Sequence, residues 1–301
     1  FLTYKGLQLY INNNALDHAT LEIYRKNLEY TYMPKYDSLR NARLKDRERY
    51  FVLWIFNNYK NQEVELKNYY QKIKANKSIY LDSIYKNSHQ FLPKNMWKQA
   101  KETTIYFIPL MNDAVAEEKD VVFTLYCAFH YDKLKYGALG GHEIHHVLRK
   151  NKRINQEKDQ YLYEALSLLL NEGSADLIDK KYTDLKECPE DLAYYEYLME
   201  SAKSSLTALD SAIIDHINNS KLIDKPDLQN IVPMSGHIPG CYMATIIQRN
   251  GYEKELIKNI DDPVKFISLY NKAAKIDQEK PYQFSDKAID YIQKIKQKNS
   301  H

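Results

Sequence analysis

The sequence predicts an α+β fold that is predominantly α-helical, with a small central sheet. Three observations carry this. Only 8 Gly and 9 Pro occur in 301 residues, roughly half the usual share, so helix breakers are few and connections short. Most of the chain repeats apolar and aromatic residues at three- and four-residue spacing, the period of a helix with one buried face. Between residues 103 and 130 that period gives way to runs of Val, Ile, Phe, Thr and Tyr, the composition of strands.

Taken in order, residues 14–30, 38–59 and 62–75 are predicted helices, punctuated by Pro34 and Pro93. Residues 104–108 read as a short strand ended by Pro109, and residues 121–130 as a second. Gly137, Gly140 and Gly141 then mark a turn where backbone passes close to something, with a helix beyond. Residues 158–181 form one long predicted helix and 189–218 one or two more. A loop holding Pro233, Gly236, Pro239 and Gly240 precedes a helix over 241–249, and two further helices end the chain. No internal repeat or low-complexity linker interrupts this order. The change at 103 divides an N-terminal helical region, 1–102, from a region 103–301 that carries the chemistry.

Composition excludes several classes. A chain of this length buries a core without needing disulfides. The net charge of +3 is small, whereas nucleic-acid binders carry a basic excess or stripe. The densest basic run, 40–49, includes Asp46 and Glu48 and reads as a solvated helix face, so no nucleic-acid partner is expected. No apolar run approaches the length of a membrane span. Cys127, Cys188 and Cys241 lie far apart with no CxxC pair, which predicts free, buried thiols rather than a disulfide framework or thiolate metal site. The 27 Tyr suit amphipathic core packing more than peptide-gripping surfaces. The chain begins at Phe1, which leans towards an exported protein whose signal peptide is absent here.

The chemistry concentrates at Gly140-Gly141-His142-Glu143-Ile144-His145-His146. His142 and His146 stand four residues apart, about 40° around a helix, so two imidazoles can close on one ion. Glu143 lies beside the pair, where its carboxylate reaches a water without being a ligand. A second feature, Asn171-Glu172-Gly173-Ser174-Ala175-Asp176, falls on a predicted helix 26 residues beyond His146. Catalytic zinc sites commonly take two His and one Glu, leaving a fourth position open. Glu172 fills that third place. Asp176 shares its helix face and could accept the outer ring N–H of a ligating histidine. Glu164, two turns earlier, is the rival third ligand but lacks such a partner. Arg149 pairs with a neighbouring carboxylate or favours the helix end. His18, His89, His216 and His301 show no ligand spacing and read as surface or capping residues.

HExxH followed on a later helix by N-E-x-x-x-D resembles the gluzincin metallopeptidases, the thermolysin-like clan, and within it a group of bacterial zinc-dependent peptidases. The likeness covers residues 103–250. It implies a zincin-like core, zinc bound by His142, His146 and Glu172, Glu143 as general base, and Asp176 with Asn171 supporting the ligands. It also implies an oxyanion donor downstream, for which His237 and Tyr242 are the candidates, with Tyr126 and His130 behind them. The second strand would be the edge strand beside the active helix, where a peptide or protein substrate adds by main-chain hydrogen bonds near Ala128 and Phe129. An ordinary packing strand remains the plainer reading of that segment. The metzincin pattern fails, since Arg149 and Lys152 stand where Gly and His belong, and no G-x-M-x-N segment points to an aminopeptidase. The expected activity is zinc-dependent peptide hydrolysis. The alternatives are an inactive metal- or peptide-binding module of the same fold, or a helical interaction protein with a chance HExxH.

Overall fold

Helices dominate the residues that the structure, a computed structural model, describes: 58–97, 104–108, 114–117, 120–149, 159–184, 193–219 and 223–298. The helix expected over 14–30 and nearly all of that over 38–59 lie outside them. Helices α1 (Glu63–Ala75) and α2 (Lys77–His89) lead into three strands, β1 (Thr104–Ile108), β2 (Ala114–Glu117) and β3 (Asp120–Thr124). The order then runs α3 (Leu125–Leu134), α4 (Ala138–Leu148), α5 (Gln160–Asp176), α6 (Tyr195–Asn219), α7 (Lys225–Ile231) and α8 (His237–Arg249). Helices α9 (Glu253–Lys258), α10 (Pro263–Ile276) and α11 (Asp286–Lys298) follow, one more than the two expected after residue 249.

The sheet differs from expectation in two ways. Its order is β1-β3-β2, so β3 is the central strand, parallel to β1 and antiparallel to β2. The strand expected to reach 130 stops at Thr124, whose hydroxyl accepts from Cys127 N–H at 3.1 Å and caps α3. Leu125, Tyr126, Cys127 and Ala128 are then buried on a helix. Strand-like composition signals burial here, and burial suits a capped helix equally well.

Two large apolar cores result, beside a small cluster of Leu198, Ala202, Ile238 and Cys241 between α6 and α8. One gathers α1 to α4 and the sheet, with Tyr59, Ile84, Phe123 and Leu125 at its centre. The other is helical and joins α5, α6, α8, α10 and α11 through residues such as Leu166, Leu206, Ile246, Phe266 and Ile292. Leu148, at the end of α4, touches both. Gly140 and Gly141 let α2 lie hard against α4: a Cβ on Gly140 would meet the Ile84 side chain at 2.6 Å, and one on Gly141 the Asn87 Cβ at 2.7 Å. That is the close passage the glycine cluster predicts, although both residues sit within the helix. Cys127 and Cys241 are buried, and Cys188 lies outside the described residues. No helix among the described residues is long and apolar enough to cross a membrane.

Candidate metal centre

The two cores meet where α4, α5 and α8 converge. His142 and His146, one turn apart on α4, bring their Nε2 atoms to 3.0 Å. From α5, Glu172 Oε2 lies 3.6 Å from His142 Nε2 and 3.1 Å from His146 Nε2. A tetrahedral zinc ion with bonds of about 2.0–2.1 Å spaces its donor atoms about 3.3 Å apart. The three distances bracket that value. The donor set, two imidazole nitrogens and one carboxylate oxygen, is that of catalytic zinc, with one position left for substrate or water. His142, His146 and Glu172 therefore fit a zinc ion.

Two of the three donors, His142 and Glu172, are held from behind. The Asp179 carboxylate accepts from His142 Nδ1–H at 2.9 Å and takes Lys180 Nζ on its other oxygen at 2.9 Å. Asn171 Nδ2–H donates to Glu172 Oε1 at 3.0 Å, so Glu172 turns only Oε2 towards the imidazoles. Asp176 differs from expectation. It lies 3.8 Å from His142 Nδ1 and accepts instead from Nδ1–H of His237 at 2.9 Å. Helix α5 ends at Asp176, and the tighter turn after it swings Asp179 under His142. Asp179 went unread in the sequence, although it continues the three- and four-residue steps from Glu172 through Asp176.

His237 opens α8 and aims Nε2 at Glu172 Oε2, 3.4 Å away, its ring stacked on that of His142. It reaches there through a tight backbone turn in which Met234 and Ser235 adopt positive φ values of 50° and 54°. Such strain in non-glycine residues is tolerated where the surroundings enforce it, commonly at functional sites.

The electrostatics follow from this crowding. Burial disfavours charge on His237, but Asp176 and then Glu172 outweigh it and push the ring up to about 9. Burial opposes the charge of His142 too, and Asp179 outweighs it, raising that ring well above the usual range. The Glu172 carboxyl, despite burial, is held well below the ordinary carboxylate range by His146 and His237. Asp179 is lowered likewise, against its burial, by Lys180 and His142. Zinc would compete with protons for the nitrogen that His142 turns towards Glu172.

Glu143 is buried next to His142, which feels its charge. The remaining candidates lie elsewhere. Tyr242 is carried round α8 to the other core, its ring 6.5 Å from Tyr270. Tyr126 and His130 are buried on α3, His130 against Gln62 at 3.0 Å. Ala128 and Phe129 are on the same helix rather than on a strand. Ala128 is fully buried, and a backbone engaged in helix bonds offers no ladder to a peptide. Glu164 is exposed and accepts from Gln160, while Asp176 and His237 form with His142 a second group of donors that could hold an ion. His216, expected as a surface or capping residue, is buried against Tyr291 and Asp159.

Comparison with known proteins points to zinc as the metal. No curated protein and no solved structure matches the chain significantly. A family model described as "Putative zinc dependent peptidase (DUF5700)" matches residues 1–279. Zinc is thus the metal that both the donors and the family indicate. With all but its last residues covered by that match, this chain belongs to that family, DUF5700.

Proposed function

We propose that the protein is a gluzincin-type zinc peptidase, with His142, His146 and Glu172 holding the metal in a zincin-like core. One observation carries the reading: three donors converge at zinc spacing, and a proton-bearing histidine, His237, stands beside them on a buried carboxylate. Zinc supplies polarisation of the scissile carbonyl and acidification of water towards a pKa of about 7. Glu143, one residue from the first ligand, takes the proton of the attacking water and passes it to the leaving amine. His237 donates from Nε2–H to the oxygen on which negative charge develops, Asp176 keeping that ring charged and oriented. Among the described strands, β2 is the antiparallel edge against which α4 packs. An extended peptide adding to β2 would lie beside the zinc helix, the place that the sequence alone suggests for residues 121–130.

The test is metal content and hydrolysis of a mixed peptide library by untagged protein. Wild type should carry about one equivalent of zinc, and His142→Ala and Glu172→Ala should lose most of it. Glu143→Gln should retain zinc and lose activity by about 10²- to 10⁴-fold. Zinc-loaded wild type with no hydrolysis, matched by Glu143→Gln, would favour the inactive binding module.

A further inference from the structure

Arg149 is a buried cation three residues past His146, with 5% of its surface exposed. Burying a charge is costly unless its donors are used. Its Nε–H donates to the Ile260 carbonyl, in the turn before α10, at 2.7 Å, and its Nη1–H donates to Asn171 Oδ1 at 2.5 Å. Asn171 Nδ2–H then donates to Glu172 Oε1 at 3.0 Å. The chain of donors decides which way the Asn171 amide faces. A guanidinium has only donors and a carboxylate only acceptors. Flipping the amide would set NH₂ against the guanidinium and C=O against Glu172, losing both bonds.

We infer that Arg149 is a positioning residue for the metal ligand Glu172, acting through Asn171. By fixing the amide it ties Oε1 down and leaves Oε2 alone to face His142, His146 and His237. It also joins the C-terminal end of the HExxH helix to the ligand-bearing helix α5, so the histidines and the glutamate are held in one register. The inference rests on the reading that Glu172 binds the metal.

Zinc affinity, measured by competition with a chromophoric chelator, tests it for wild type, Arg149→Met, Asn171→Leu and the double variant. Each single change should weaken zinc by about 10- to 100-fold, and the double should be no weaker than the worse single, because both cut one relay. The cobalt(II)-substituted single variants should share an altered visible spectrum as the carboxylate loosens. A purely structural Arg149 would lower the melting temperature of the metal-free protein and leave affinity and spectrum unmoved. If Arg149→Met does not fold, Asn171→Leu decides, since it keeps the bond from Arg149 to Ile260. Wild type that binds zinc beside an Asn171→Leu variant of equal affinity overturns this inference alone. Wild type that takes up no zinc overturns the metal reading, and this inference with it.

Discussion

Gly173 and Gly240 meet backbone to backbone where α5 crosses α8: a Cβ built on Gly173 would lie 2.3 Å from the Gly240 carbonyl oxygen, and one on Gly240 would lie 2.4 Å from the Leu169 carbonyl oxygen. No side chain fits in that gap. The crossing sets the start of α8 over Glu172 and Asp176, which is how His237 reaches them. Gly173→Ala should therefore destabilise the fold by about 3 kcal/mol or more, the upper end of overpacking costs, because the obstacle is backbone. Denaturant unfolding checks this, and a loss under about 1 kcal/mol would contradict so tight a crossing.

Asp179 and Lys180 support His142 from the side away from the donors. Asp179→Asn keeps the shape and removes the charge that fixes the ring tautomer. Zinc affinity should drop by about 10- to 100-fold with little change in the metal-free fold. Chelator competition reads the first and circular dichroism the second.

His237 gives a pH prediction. Its folded value, about 9, exceeds the ordinary 6.5. A raised value means that the folded state binds the proton more tightly. Its stabilisation of the metal-free protein is complete below 6.5 and fades as pH rises through about 9. In Asp176→Asn the first and largest opposing charge is gone, and burial should carry the ring down. Proton NMR titration of metal-free wild type and Asp176→Asn follows this directly. An unchanged midpoint would show that Asp176 does not hold the ring.

The junction of β3 and α3 depends on the Thr124 cap. Thr124→Ala should cost about 1 kcal/mol. Ala128→Leu should cost about 1–3 kcal/mol by overpacking a fully buried site. Neither should alter peptide selection among zinc-loaded molecules. A changed cleavage preference in Ala128→Leu would restore that residue to the substrate.

The candidate zinc trio was legible as a group because each part is local. His142 and His146 share a face by helix period alone, and Glu172 stands out through its Asn and Asp neighbours on one helix. Strand β1 was legible too, a β-branched and aromatic run stopped by proline. Residues 125–130 were not, since their composition reports burial and is silent on backbone geometry, which Thr124 and the packing against Tyr59 decide.

The amino-acid order by itself determined a helical protein with a small sheet, an HExxH helix and the residues able to take zinc, because helix period acts over one or two turns. Tertiary structure alone decided the partners of those residues. His237 and Asp176 are 61 positions apart, Arg149 and Asn171 22, and His142 and Asp179 37. No local period links such pairs. They meet because α4, α5 and α8 pack at one seam, and only packing could choose His237 over Tyr242 or give Asp179 to His142.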